Sequence, residues 1–138
     1  MNTFLTRTIL VLLIVPAIFL SSCSDTVADQ IKKEVATVKS QCPSDLGNGV
    51  VMKDVNFYEK DKVLEYVCSI ASVESIDAPT IGRMKVAMVE ALSGSKSGFG
   101  QLSVKIVLKQ YGYKFRYIYQ DTAGKKLCQI DITKDDLK

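Results

Sequence analysis

Apolar side chains recur along the chain with two spacings, one typical of helices and one typical of strands. The first helical stripe runs from Val27 to Val38. Pro43 predicts that this helix ends before it, because the residue preceding a proline disfavours helical backbone. Residues 43–49 are rich in turn-forming side chains, so we predict an irregular connection there.

Two strands are predicted next, Val50–Tyr58 and Val63–Ile70, joined by a short charged turn. The second strand alternates between apolar and polar positions, so one of its faces is expected to be buried. In the first strand, the same alternation predicts a buried face made of Val51, Val55 and Phe57.

A second helix is predicted to begin at Asp77 and Pro79, which are favoured at helix N-termini, and to end at Ser93 before a glycine. Residues 94–101 are predicted to form a flexible loop. The segment 102–109 fits two structures, because its apolar residues alternate strictly and also share a helical face. A helix is the preferred interpretation there, and a strand is the alternative.

Two further strands, Gly112–Tyr119 and Leu127–Thr133, complete the pattern, with a hairpin turn at residues 121–124. Aromatic side chains occupy alternate positions of the first strand, and aliphatic side chains or cysteine occupy those of the second. Each strand is therefore expected to bury one face. Residues 134–138 are predicted to be a short polar tail.

The predicted order of elements is one helix, two strands, one or two helices, and two strands. Hairpin pairs separated by helices predict an antiparallel sheet of about four strands with helices packed on one face. The chain of 138 residues has no internal repeat and is long enough for one hydrophobic core. The sequence therefore predicts a single small α+β domain.

The N-terminal segment has the pattern of an export signal rather than of a folded element. One basic residue, Arg7, precedes the apolar run Ile9–Leu20. This run is too short to cross a hydrocarbon core, which takes about 20 helical residues. A basic residue followed by such a run is typical of a secretory signal peptide.

The residues that end this segment, Leu20-Ser21-Ser22-Cys23, resemble the lipobox of bacterial lipoproteins. The resemblance implies cleavage between Ser22 and Cys23, and acylation of Cys23 with lipid chains such as palmitate. The signal peptide 1–22 would then be removed, and residues 23–138 would form one lipid-anchored domain. The alternative is an ordinary secretory signal followed by a free thiol at Cys23.

The same resemblance implies a destination. In the sorting rule of these lipoproteins an aspartate after the acylated cysteine favours the inner membrane, and this chain has Ser24 there. The expected location is therefore the cell envelope, at the outer membrane, facing the periplasm or the cell surface.

Composition excludes several kinds of catalytic site. The chain has no histidine, which removes Ser-His-Asp and Cys-His mechanisms and every zinc site that needs an imidazole. Cys42, Cys68 and Cys128 lack the C-x-x-C spacing of zinc and thioredoxin-type sites. In an oxidising compartment these cysteines form either one disulfide of unknown pairing or three free thiols. We expect no enzyme activity, no cofactor and no bound metal.

Charge is distributed unevenly along the mature chain. Residues 24–77 hold six basic and ten acidic side chains, a net charge of −4, whereas residues 78–138 hold eleven and five, a net charge of +6. The basic side chains of the second predicted hairpin are the candidates for contact with a partner: Lys114, Arg116, Lys125 and Lys126. The lipid would hold the first helix near the membrane and leave this hairpin free, while nucleic acid is not expected as a partner of an exported protein.

These features favour a non-catalytic, lipid-anchored envelope protein that binds another envelope protein. Pilotins, immunity lipoproteins and assembly accessory factors are examples of this class. The alternative is a small-ligand-binding lipoprotein with a cavity between the sheet and the helices.

Overall fold

The computed structural model describes residues 26–93, 98–99 and 102–137. It contains three α-helices, seven strands and a 3₁₀ helix within these residues. In chain order they are α1 (Val27–Ser40), β1 (Ser44–Gly47), β2 (Val50–Tyr58), β3 (Val63–Ile70), α2 (Ala78–Leu92), β4 (Gly98–Phe99), β5 (Leu102–Ser103), α3 (Val104–Lys109), β6 (Lys114–Gln120), β7 (Lys126–Ile132) and the 3₁₀ helix (Lys134–Asp136). Among these helices, none is both long and apolar enough to cross a bilayer.

Five strands form one sheet in the order β1-β2-β3-β6-β7, and β4 pairs with β5 in a separate two-stranded unit. The α+β class is confirmed, but the main sheet has five strands rather than four. Its central pair, β3 and β6, is parallel, and the other three pairs are antiparallel. The pair is parallel because the long connection through α2 and α3 returns the chain to the end of the sheet where β3 began, so β6 starts beside the start of β3.

The additional strand, β1, lies where the sequence predicted an irregular connection. Ser44 pairs with Met52 across a tight reversal whose residues, Gly47, Asn48 and Gly49, all have positive φ angles. Such backbone favours glycine and asparagine, so the turn signal was correct, but the strand before it is too short and polar to show a period.

The predicted inner face of β2 is wrong for part of the strand. Val50, Met52 and Val55 are buried, whereas Val51 and Phe57 are only partly buried. A β-bulge between Met52 and Asp54 adds one residue to the strand. The extra residue reverses the alternation, so one apolar period cannot describe both halves of β2.

The predicted helical stripes pack on one face of the sheet, where they form a single core with its buried side chains. Ile31 of α1, Met88 of α2 and Leu108 of α3 are fully buried. The preferred interpretation of 102–109 holds for residues 104–109, which form α3. Within the predicted loop, Gly98–Phe99 pair with Leu102–Ser103, while residues 94–97 and 100–101 lie outside the described part of the chain.

The last two strands confirm the alternation predicted for them. Tyr113 and the inward residues of β6 are at most 7% exposed, as are Cys128, Ile130 and Ile132 of β7. The polar tail is a correction, because Leu137 packs into the core with 6% exposure. A capping box at Thr133 turns the chain into the 3₁₀ helix and directs this leucine inward.

Candidate partner-binding surfaces

The face of the sheet opposite the helices, here called the open face, carries polar residues in register. Asn56 of β2 lies opposite Glu65 of β3, Glu65 lies opposite Arg116 of β6, and Arg116 lies opposite Asp131 of β7. Four adjacent strands therefore present one continuous polar row. The row arises because the odd-numbered positions of β3 and the even-numbered positions of β6 point away from the core.

Arg116 joins the two carboxylates of this row. Its guanidinium lies 3.6 Å from an oxygen of Glu65, and its Nε donates to Asp131 at 3.3 Å. Glu65 also accepts hydrogen bonds from Asn56 Nδ2 and from the Tyr58 hydroxyl, both at 3.3 Å. Because the carboxylates lie close to the guanidinium, this cation is largely neutralised within the sheet.

The four basic residues predicted to face a partner do not form one cluster. Lys114 and Arg116 lie on the open face, where Lys114 is 3.7 Å from Asp131. Lys125 belongs to the β6–β7 turn, and Lys126 begins β7 and donates to Gln129 at 2.7 Å. Gln120, the residue before the turn, is six positions along the strand from Lys114, a distance of about 20 Å.

The direction of α1 distinguishes the two ends of the sheet. Lys32, in the N-terminal half of α1, forms an ion pair of 2.6 Å with Glu59 of the β2–β3 turn, and Lys39 forms one of 2.9 Å with Asp54, further back along β2. The start of α1 therefore lies at the end formed by residues 58–62 and 109–114, here called the proximal end. The opposite end, residues 71–76 and 121–125, is called the distal end.

Only part of the second hairpin lies away from the start of α1. Lys114 begins β6 at the proximal end, beside the β2–β3 turn, and its amide donates to Lys62 O at 2.8 Å. Only the turn that carries Lys125 lies at the distal end. The parallel pairing of β3 and β6, which the sequence did not predict, is the reason.

Two of the surface grooves are lined by described residues of the sheet and its neighbouring elements. One, of about 390 Å³, runs between α1 and β2 and is lined by side chains that include Val35 and Phe57. The other, of about 590 Å³, lies at the distal end between residues 72–75 and the β6–β7 turn. Both open at the surface rather than being enclosed, and the first lies between a helix and the sheet, where the small-ligand alternative places its cavity.

The three described cysteines are free thiols. Cys68 and Cys128 lie on either side of Tyr119, one strand away in each direction, so their Cα atoms are about 10 Å apart and cannot form a disulfide. Burial raises the pKa of Cys68 to about 12 and that of Cys128 to about 11. Cys42 is partly buried and donates to Val38 O at 3.3 Å. The predicted acylation site, Cys23, and the cleavage position at Ser22 lie outside the described residues.

The comparison with known families gives one assignment. A family model matches residues 23–128. The chain belongs to this family, which is described as a domain of unknown function, DUF8479. The match begins at Cys23 and ends at Cys128 in β7, so it spans the sheet up to its last strand. Among curated proteins, no sequence matches this DUF8479 member significantly.

Solved structures share its fold at low sequence identity. The pilotin EpsS of the type 2 secretion system from Vibrio vulnificus is 10% identical with a TM-score of 0.56, over 77% of this chain and 86% of the pilotin. The type II secretion system pilotin AspS from Vibrio cholerae is 10% identical with a TM-score of 0.50, over 75% and 85%. A candidate secreted protein from Pseudomonas aeruginosa is 9% identical with a TM-score of 0.57, over 86% and 100%. These likenesses establish a common fold.

Glu34, like Glu65, is a buried acidic residue that the sequence did not identify as such. Glu34 of α1 is 4% exposed, and its Oε1 has no hydrogen-bond partner. Burial raises the pKa of this carboxyl above its ordinary value. Its spacing from Ile31 and Val38 placed it at the edge of the apolar stripe, and that spacing was the signal for burial.

Proposed function

We propose that this DUF8479 protein is a lipid-anchored, non-catalytic accessory protein of the cell envelope that binds another envelope protein, as a pilotin-like module. The observation that carries the proposal is a fold shared with two secretion-system pilotins in a chain whose N-terminus resembles a lipoprotein signal. The start of the family match at Cys23, the predicted first residue of the mature chain, supports the same interpretation.

The chemistry of the described side chains supports a binding role. The carboxylates of Glu65 and Asp131 are engaged by Arg116, so neither is poised as a general base. The thiols of Cys68 and Cys128 have raised pKa values and lie in the core, where little thiolate forms and a substrate has no access. The open face carries an ordered row of polar side chains across four strands.

The lipid anchor is tested with the variant Cys23→Ser, expressed with its signal peptide in bacterial cells that export it to the envelope. The native protein should partition into detergent, with a mass above that of residues 23–138 by its acyl chains. Cys23→Ser should lose both properties, whereas the control Cys42→Ser should keep them because Cys42 lies within the folded domain. An unacylated native protein, cleaved at another position, would contradict the anchor.

The accessory role is tested by cross-linking in intact envelopes, followed by fractionation of the cross-linked partner. We expect one predominant envelope protein, found with the outer membrane in cells that carry the native chain. In cells that carry Cys23→Ser, the same complex should leave the membrane fraction. If the partner has the same location and assembly state in cells with the native chain and in cells with Cys23→Ser, the proposed role is wrong.

A further inference from the structure

The proximal end differs from the distal end in its exposed side chains. Among the described residues, three large hydrophobic side chains are markedly exposed, and two of them are Tyr58 and Tyr111 at the proximal end, with 44% and 40% exposure. The Tyr58 hydroxyl donates to Glu65, so its ring lies at the proximal margin of the open face. Tyr111 projects from the connection between α3 and β6, beyond the sheet.

Lys62 joins the two proximal segments into one unit. Its Nζ donates to the carbonyl oxygen of Tyr111 at 2.9 Å and lies 5.8 Å from the centre of the Tyr113 ring. The backbone oxygen of Lys62 accepts from the Lys114 amide at 2.8 Å. The β2–β3 turn and the segment before β6 therefore form a connected surface rather than two independent loops.

This surface carries excess positive charge. The segments 59–62 and 109–114 contain four lysines and two acids, a net charge of +2. Outside this set, Glu59 is paired with Lys32 of α1 and Lys114 lies 3.7 Å from Asp131 of β7, so one acid and one lysine are balanced by other groups. Lys60 in the β2–β3 turn, Lys109 at the end of α3 and Tyr111 after it are all exposed, so basic and aromatic groups face solvent at this end. Tyrosines and lysines in this combination suit the boundary between lipid headgroups and water.

Chain length places the predicted anchor at the same end. Cys23 precedes Thr26 by three residues, which span at most about 11 Å. Val27 precedes Lys32 by five helical residues, so α1 extends about 7 Å further toward its N-terminus than the Lys32–Glu59 pair. A lipid on Cys23 would therefore hold the proximal end close to the bilayer, with the distal end roughly 23 Å away along β3.

We propose that the proximal end, through Tyr111, Lys60 and Lys109, lies against the anionic phospholipid headgroups of the membrane that holds the lipid of Cys23. The proposal rests on the proposed lipid anchor and adds an orientation to it. In this orientation the proximal end contacts the membrane, and the distal end faces away from it.

The absence of tryptophan from the chain provides a direct test. The full lipidated protein with the single substitution Tyr111→Trp is inserted into vesicles of phosphatidylcholine, alone or mixed with phosphatidylglycerol. Lipids brominated near the headgroup then quench the indole according to its distance from them. The matched probe Thr122→Trp reports from the exposed distal turn.

At position 111 we expect a blue-shifted emission and at least about twofold quenching in the anionic vesicles, because the indole enters the interface. The Thr122→Trp probe should show neither effect. Equal quenching at both positions, or none at position 111, would overturn the orientation. The acyl mass of Cys23 is measured on the same sample, so loss of the anchor is recognised separately from failure of the orientation.

Charge reversal tests the contribution of the lysines. Adding Lys60→Glu and Lys109→Glu to the Tyr111→Trp protein should reduce the quenching in anionic vesicles to that in phosphatidylcholine alone. The control pair Lys125→Glu and Lys126→Glu, with the same change of charge at the distal end, should leave it unchanged. If quenching is unchanged by Lys60→Glu and Lys109→Glu, these lysines do not recognise anionic headgroups and that part of the proposal is wrong.

Discussion

At the scale of single residues, Glu34 is a buried acid whose ionisation opposes folding at neutral pH. Burial raises the pKa of its carboxyl in the folded protein above the ordinary value of 4.5. A raised folded pKa means that its contribution to stability is complete below the unfolded pKa and is lost as pH rises through the folded pKa. Glu34 therefore makes the fold less stable at neutral pH than an uncharged residue of the same shape would.

The variant Glu34→Gln should remove this dependence. We expect its free energy of unfolding in urea to exceed that of the native protein at neutral pH, with the two values converging as pH falls toward about 4. Glu90→Gln, at an exposed position of α2, is the control and should follow the native curve. If the free energies of unfolding of the native protein and Glu34→Gln differ by the same amount at every pH in this range, the ionisation of Glu34 is not coupled to folding.

Neighbouring residues of β6 test the two faces of the sheet. Tyr117 is 2% exposed and stacks on Tyr66 with ring centres 5.2 Å apart, so Tyr117→Ala should cost about 3–5 kcal/mol. Arg116 lies on the opposite face of the same strand and pairs with the buried Glu65. Arg116→Ala should cost about 1–2 kcal/mol, because it leaves that carboxylate without its cation. Urea unfolding measures both, and a larger cost at Arg116 would reverse the assigned faces.

At the scale of elements, each of the two long helices begins at a side-chain cap. The Thr26 hydroxyl accepts from the Asp29 amide at 3.2 Å, and an Asp77 carboxylate oxygen accepts from the Thr80 amide at 2.9 Å. Capping satisfies amides that no turn of the helix can reach. In α1 the cap residue, Thr26, lies only three residues after Cys23 and fixes the point where the helix begins.

Removing the first cap should weaken α1. Thr26→Ala is expected to cost about 1 kcal/mol in urea unfolding, because the Asp29 amide loses its acceptor. Thr26→Ser keeps an equivalent hydroxyl and should remain close to the native value. Equal stability of the alanine and serine variants would show that the cap contributes nothing in this chain.

At the scale of the whole molecule, the basic residues of the second hairpin lie at opposite ends of the sheet. Lys114 lies at the proximal end with the start of α1, while Lys125 and Lys126 lie at or beside the distal turn. If the lipid holds the proximal end, a soluble part of a partner reaches the distal end and the open face first. Exposed charges of this kind mainly accelerate association, and salt screens them over about 8 Å at physiological ionic strength.

The reversal Lys125→Glu/Lys126→Glu should therefore slow association with the cross-linked partner, measured with purified components at increasing salt. The control Lys53→Glu/Lys105→Glu makes the same change of charge at two exposed positions elsewhere and should have a smaller effect. The difference in association rate between the native protein and the Lys125→Glu/Lys126→Glu variant should decrease as the salt concentration rises. Association that is insensitive to the distal reversal and to salt would move the binding surface away from this end.

Local periodicity determined much of this protein: the helix limits, both hairpins, and the buried face of the last two strands. These features depend on neighbours in the chain, which is why α1 ends before Pro43 and why Tyr117 is buried. The predicted export signal and the predicted acylation of Cys23 likewise rest on a short linear pattern.

Only the tertiary structure decided what depends on residues distant in sequence. The parallel pairing of β3 with β6 put Lys114 beside the β2–β3 turn, and the bulge after Met52 exchanged the faces of β2. Arg116 acquired two carboxylate partners because adjacent strands brought Glu65 and Asp131 into register. Register, strand order and bulges are set by the packing of the whole core, and no window of the sequence contains both partners of such a contact.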